Sequence, residues 1–418
     1  MKNSVIVLSF LAVGIFLSAC NNETGNENNY PDPIRIDLTT TELQMANESQ
    51  NFAANLFSVI HESMINDSES ENIAISPLSL NMALAMVWNG ANGETKQAIQ
   101  EAMRIGDYSQ SEVNNYFKKI REAFVKTDPT LKLAIANSIW SNQGFPVKPS
   151  FYDINKNFYR AEVKEVDFSS PNTPKLINQW CSDNTNGLIK EMIKEIPSDV
   201  VMYLINALYF KGEWSDKFGF EKFATHDATF TKENGSSIEV KMMNQNNTLP
   251  YYSDEYFSTT SLPFGNHAFS MVFFLPNESV SFTEMLNQLK QPGYLTKCLQ
   301  SGGRSVVNLY IPKFKIEYEI TLDETLRQLG MEIAFSNFAD FSGISDVPVC
   351  ISTVIQKTSV AIDEKGAEAA AVTVVGVDMD AAPPPQKVVF RADRPFLFAI
   401  RENSTGVVLF MGKIGKPE

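Results

Sequence analysis

The stretch VMYLINALYF, Val201 to Phe210, constrains the fold more than any other part of this 418-residue chain. It is apolar almost throughout, so a strand built from it has no face to give to water and belongs in a sheet covered on both sides. Helices to do the covering are written on either side of it. LQMANESQNFAANLFSVIHESMIN sets Leu43, Phe52, Leu56, Phe57 and Ile60 at helical spacing. In SPLSLNMALAMVWNGANGETKQAIQEAM, Ser76 is placed to cap a helix and Pro77 to open it, with breaks at Gly90 and Gly93. KLAIANSIWS and AEVKEVDF read as strands, and TPKLINQWCSDNTNG as a helix. After Lys241 the chain turns largely β, through LPFGNHAFSMVFFLP and SVVNLYIPKFKIEYEI, until a helix at TLDETLRQLGM that ends at Gly330. No repeat recurs and no low-complexity linker divides the body, so one intertwined α+β domain is expected over residues 38–418.

Ahead of that domain, Met1 and Lys2 precede VIVLSFLAVGIFLSAC, the charged and apolar regions of a secretory signal, too short for a comfortable membrane span. Leu17, Ser18, Ala19 and Cys20 resemble the bacterial lipobox, which implies a signal peptide over residues 1–19 and a lipid on Cys20. The polar NNETGNENNYPDP then fits a flexible tether over residues 20–37. The expected location is the bacterial cell envelope, with the protein held by its lipid at the outer membrane, on the periplasmic face or at the cell surface. The alternative is an ordinary cleaved signal with a chance cysteine. The net charge of −14 repels phosphates and disfavours nucleic acid and polyanionic cofactors. Cys181, Cys298 and Cys350 are scattered and odd in number, which argues for buried free thiols rather than disulfides or a metal site.

A search for catalytic chemistry fails. The three histidines, His61, His226 and His267, lie in no metal motif, and there is no nucleophile elbow, phosphate loop or dinucleotide fingerprint. KKIREAF reads as a solvated helical face. No enzyme activity is expected.

A different set of segments is informative in its order: NIAISPLSLNMALAMVWNGANGET, LINALYFKGEW, IPKFKIEYE, DFSGI, IDEKGAEAAA and FRADRPFLFAIRENSTGVVLFMGKI. Together they resemble the signature segments of the serpins from about residue 45 to 415. The resemblance implies a mixed α/β fold with three β-sheets, a helical bundle and an exposed reactive-centre loop at about residues 364–388. It also implies a monomer, needing no cofactor or metal, that acts as bait for serine or cysteine endopeptidases. The cut loop enters the central sheet as a new strand while the protease is still esterified to it.

The loop chemistry suits that task. Gly366 gives a backbone pivot. In a strand, Ala367, Ala369, Ala371, Thr373 and Val375 share the inward face, while Glu368 and Ala370 lie on the other. No proline interrupts the segment before Pro383, so every inserting residue keeps its ladder donor. Counting seventeen residues from the hinge Glu364, as the family does, puts the scissile bond between Asp380 and Ala381; a slip of one puts it between Met379 and Asp380. Asp380 suits a basic specificity pocket, and Met379 an apolar one.

Ser76 and Asn206 match the family's polar positions beneath the central sheet, where strands must part, and Trp214 matches the tryptophan where insertion begins. Two residues depart from the pattern. Gln356 stands where most relatives have a histidine, so the sheet here is expected to open without a proton switch at that point. Ala367 replaces a commoner threonine or serine. The rival reading is a non-inhibitory serpin used as a binding scaffold.

Overall fold

The helices form where apolar residues recur on one face. They are α1 (Thr40–Met64), α2 (Pro77–Trp88), α3 (Gly93–Met103), α4 (Gln110–Thr127), α5 (Pro149–Tyr159), α6 (Thr173–Asn184), α7 (Phe282–Leu289), α8 (Tyr294–Gln300) and α9 (Asp323–Leu326). The strands are β1 (Asn72–Ile75), β2 (Lys132–Asn142), β3 (Glu162–Val166), β4 (Met202–Glu213), β5 (His226–Thr231), β6 (Ser237–Ser253), β7 (Phe257–Pro263), β8 (Phe269–Pro276), β9 (Gly303–Pro312), β10 (Phe314–Thr321), β11 (Ile355–Ile362), β12 (Gly366–Ala367), β13 (Lys387–Arg391), β14 (Phe396–Glu402) and β15 (Val408–Ile414). This computed structural model describes residues 30–64, 71–216, 218–367 and 387–417.

Three sheets result among the described residues. The largest runs β1-β15-β14-β8-β7-β6-β9-β13 with β5 beside β6; a second pairs β10 with β11; the third runs β12-β4-β2-β3. The α+β class and the three sheets expected of the chain are therefore present. VMYLINALYF forms most of β4, packed between α2 and α6. Its apolar content follows from that double cover. Ser76 caps α2 as the sequence indicates, its hydroxyl accepting from the Ser79 N–H at 3.3 Å, with Pro77 at the first turn.

Two apolar cores form. The main one fills the space between the largest sheet and the helices, and a second, smaller one gathers Trp140, Phe168, Ile177, Trp180, Ile205 and Ala207 where α6 packs on β2 and β4. The four-stranded sheet and α6 thus carry a core of their own.

Some expectations need correction. Leu43 is 46% exposed, because it lies off the buried stripe of α1 that Phe52, Leu56, Phe57 and Ile60 occupy. The KKIREAF stretch of α4 is not simply solvated: Arg121 is buried, and Lys119 reaches Glu42 at 2.6 Å. Cys350 is exposed, whereas Cys181 and Cys298 are buried as expected. The helix at TLDETLRQLGM keeps α-geometry only to Leu326, and Gly330, at φ 101°, turns it into a 3-10 turn over Glu332–Phe335.

Candidate functional site

The feature that sets this fold apart is a seam. Among the described residues β11 bonds only to β10, and β4 bonds to β2 along its length and to β12 only at Gly212 and Glu213. Below β12, then, β4 and β11 turn unpaired edges into one cavity of about 420 Å³. Its walls include Met202 to Leu208 on one side and Ile355 to Lys357 on the other, with α2 beneath contributing Leu80, Leu84 and Val87. Neighbouring strands stand about 4.8 Å apart, so two edges flanking a vacant strand position would be twice that. Such edges are ladder donors and acceptors waiting for a partner.

The upper end of the seam is closed by the hinge. Gly366 and Ala367 pair antiparallel with Glu213 and Gly212. A Cβ at Gly366 would lie 2.7 Å from both the Glu213 Cα and the Trp214 nitrogen, and its φ of +135° is open only to glycine, so the residue is required twice over. Ala367 is buried at 5% exposure and lines a small void with Phe210, Val360 and Ala361. Trp214 is buried against Phe264, rings stacked at 4.5 Å, and holds the hinge backbone: its Nε1 donates to the Asp363 carbonyl at 3.1 Å and its N–H to the Lys365 carbonyl at 2.8 Å. Glu364 is clamped by side chain and backbone together. Its carboxylate meets Lys313 Nζ at 2.6 Å and accepts from Thr225 Oγ1 at 2.9 Å, while its carbonyl accepts from the Phe220 N–H at 2.8 Å. Burial pushes this carboxyl up, but the bonds from Lys313, its own backbone and Thr225 outweigh it, and the net shift is downward.

The middle of the seam is polar and unlatched. Gln356 grips one residue twice: its Oε1 accepts from the Ser76 N–H and its Nε2 donates to the Ser76 carbonyl, both at 2.9 Å. The Ser76 hydroxyl donates to the Leu409 carbonyl at 2.7 Å. The Gln356 amide thus supplies one acceptor and one donor to the two backbone groups of the same residue. Across the cavity Asn206 donates to Asn137 Oδ1 at 2.6 Å, and Asn137 to the Tyr159 carbonyl at 2.7 Å. Asn206 Oδ1 is buried without a partner. Ser76, Asn206 and Gln356 thus share one cavity, yet Asn206 does not reach Gln356.

Of the residues singled out in the sequence, Glu364, Gly366, Ala367, Trp214, Ser76, Asn206 and Gln356 converge on this seam. Glu368, Ala369, Ala370, Ala371, Met379, Asp380, Ala381 and Cys20 lie outside the described residues. Sequence reasoning missed Lys313, Thr225, Phe264 and Asn137. Only Lys313 left a trace, as a cation at a strand junction with an acidic hinge to satisfy. The histidines form no metal site among the described residues. His61 is buried 3.3 Å from Thr283 Oγ1, His226 is exposed, and His267 Nε2 stands 2.7 Å from Ser215 Oγ.

Known proteins share this architecture. The family profile for Serpin (serine protease inhibitor) matches residues 47–417. A serine protease inhibitor of Cyanea capillata is 33% identical over 385 residues, covering 90% of this chain and 99% of its own. Neuroserpin of Homo sapiens is 32% identical over 363 residues, covering 84% and 87%. Among solved structures, the thermophilic serpin tengpin in its native state aligns with a TM-score of 0.80 at 32% identity, over 93% of this chain and 97% of that one. Human thyroxine-binding globulin complexed with its hormone aligns with a TM-score of 0.78 at 27% identity, over 90% and 100%. With the seam, the hinge at its upper end and these likenesses in agreement, the chain belongs to the serpins, a family of protease inhibitors.

Proposed function

We propose that this chain is a suicide-substrate inhibitor of serine endopeptidases, with cysteine endopeptidases as a second class. The observation that carries the reading is the pair of unpaired edges on β4 and β11, with small hinge residues already paired at one end. The target's nucleophile attacks the Asp380 carbonyl; the bond to the Ala381 nitrogen breaks, and that amine leaves with a proton from the protease's own acid. The acyl-enzyme then faces two fates. Water can release the protease, or the freed arm can zip into the seam and carry it away. Successive residues that enter gain ladder bonds alternately to the two edges, and an inward row of Ala367, Ala369, Ala371, Thr373 and Val375 buries no charge. The inhibitor supplies no catalytic group, in keeping with the failed search for one.

The lipobox-like Leu17 to Cys20 supports lipid anchoring through Cys20 in a bacterial envelope, and an inhibitor of this kind works as a monomer. A binding-scaffold reading is favoured by one observation, the likeness to a globulin solved with thyroxine. The two readings part in one experiment: residues 21–418 are mixed with elastase-, chymotrypsin-, subtilisin- and aspartate-specific proteases and run on denaturing gels. Inhibition gives an SDS-stable complex and a released peptide beginning at Ala381. Cleavage by every protease without any complex selects the scaffold.

A further inference from the structure

The chain that follows the scissile bond leads straight into a sheet face that the rest of the molecule leaves uncovered. Lys387 opens β13, which runs beside β9, with β6 beyond it. Lys387, Val389 and Arg391 of β13 stand level with Val306, Asn308 and Tyr310 of β9, and Asn308 in turn with Asn246 of β6. Side chains alternate along a strand, so these residues share one face. The residues between them, Phe390, Val307 and Leu309, are buried in the main core, which makes this face the outer one. None of the seven is buried, and Val389 is 63% exposed. In a chain with 49 acidic and 35 basic residues the face carries two cations, Lys387 and Arg391, and no carboxylate. Arg391 lies over the Tyr310 ring, 3.8 Å from its centroid, and makes no ion pair among the described residues. Beside the face stands Phe223, 88% exposed, in the 3-10 turn Lys222–Ala224. Phe220 and Thr225, on either side of it, bond to Glu364 of the hinge, and His226 just after them meets Tyr310 edge-on at 6.5 Å. An exposed phenylalanine and valine set among cations, amides and a tyrosine is the composition of a protein interface.

Covalent geometry names the occupant. Six residues take the chain from Ala381 to Lys387, and at about 3.5 Å each they reach at most about 21 Å. A protease of about 220 residues has a radius of gyration of about 17 Å, which is a sphere of about 22 Å radius. A tether no longer than the enzyme's own radius leaves the rim of its cleft within reach of β13 and β9. Charge then decides which rim fits. The acidic chain as a whole repels carboxylates, whereas this face attracts them and so orients an enzyme that carries them beside its cleft.

We propose that the outer face of β13 and β9, with Phe223 beside it, is a docking surface for the target endopeptidase that recognises carboxylates and an apolar side chain on the rim of its cleft. This rests on the bait-loop reading and deepens it: the loop supplies the bond that is cut, and the face selects among the enzymes able to cut it.

The test reads docking and insertion separately. Residues 21–418 are mixed with each of the four proteases named above; the rate at which intact chain disappears reads docking, and its division between complex and cut chain reads insertion. A synthetic peptide of residues 374–386, which carries the bond without the face, is the reference substrate. For the enzyme that most favours the chain over the peptide, Arg391→Glu should slow consumption roughly threefold to tenfold in about 50 mM salt, and the loss should shrink in about 0.5 M salt, where screening acts within about 4 Å. Phe223→Ser should slow it by a similar factor at either salt. Both variants should keep the wild-type division between complex and cut chain and the wild-type melting temperature. Unchanged consumption of both variants by all four enzymes overturns the docking surface, and a changed division at unchanged consumption assigns the effect to the hinge and overturns it too. Cut chain without complex in the wild type overturns the insertion reading alone, because the consumption rates still test the face.

Discussion

The two ends of the same seam are built in opposite ways. At the hinge, Trp214, Phe220, Thr225 and Lys313 all bond to residues 363–365, leaving the first strand residues paired. In the middle, Gln356 and Asn206 satisfy partners on their own sides and leave the gap between them unbridged, with Asn206 Oδ1 unpaired. The seam is thus fastened at the end where the proposed insertion would start and unfastened where it would proceed.

Breaking that contrast most severely should be Ala367→Arg. An unpaired charge on a buried inward row costs on the order of 3 kcal/mol or more, so insertion should slow roughly a hundredfold. The variant should remain folded and be cut without forming complex, read on denaturing gels. Ala367 is already paired with Gly212, so persistent complex would show that a charge at this position does not block insertion.

Next in size is Gly366→Val, which meets the Glu213 and Trp214 backbones and a forbidden φ. A cost of about 1 to 3 kcal/mol should detach the hinge pair, seen as faster hydrogen exchange at Gly212 and Ala367. In the middle, Gln356→Ala should cost about 2 kcal/mol, because two buried backbone groups of Ser76 lose their partner. Asn206→Ala should cost only about 1 kcal/mol, since one of its groups is already unpaired. Denaturant midpoints would reverse the assignment if the order came out the other way.

Two further effects are confined to acid. Glu364 has a folded pKa below its unfolded value, so the stability it contributes is present above that unfolded value and is lost as pH falls through the folded one. Glu364→Gln should flatten that part of the acid limb, measured by chemical denaturation below about pH 4.5. His61 acts in a neighbouring window. Burial, with Lys413 adding to it, lowers its pKa to about 4 from 6.5. Because the unfolded chain binds the proton first, stability should fall between those values by up to about 1.4 kcal/mol per pH unit, and His61→Gln should remove that slope.

Much of this was legible in the chain. The doubly covered β4, the Ser76 cap and the hinge glycine each answer to one local rule of burial, capping or dihedral freedom. Leu43 and Arg121 misled for a common reason: helical spacing fixes which residues share a face, not how wide a stripe the neighbours bury. The clamp on Glu364 and the turn at His267 join residues 51 and 52 positions or more apart in sequence, and no periodicity reports such pairings. The absence of a bond between Asn206 and Gln356 is a matter of how far two sheets stand apart, which no residue type encodes.

If the position between β4 and β11 receives the cut loop, both strands gain ladder partners on cleavage. Hydrogen exchange of both strands, measured before and after cleavage of the loop by a protease that releases it, tests this most directly. Amides of Met202 to Leu208 and Ile355 to Ile362 should become strongly protected on cleavage, and the melting transition should move upward. Unchanged exchange on those two edges, with an unchanged transition, would contradict it.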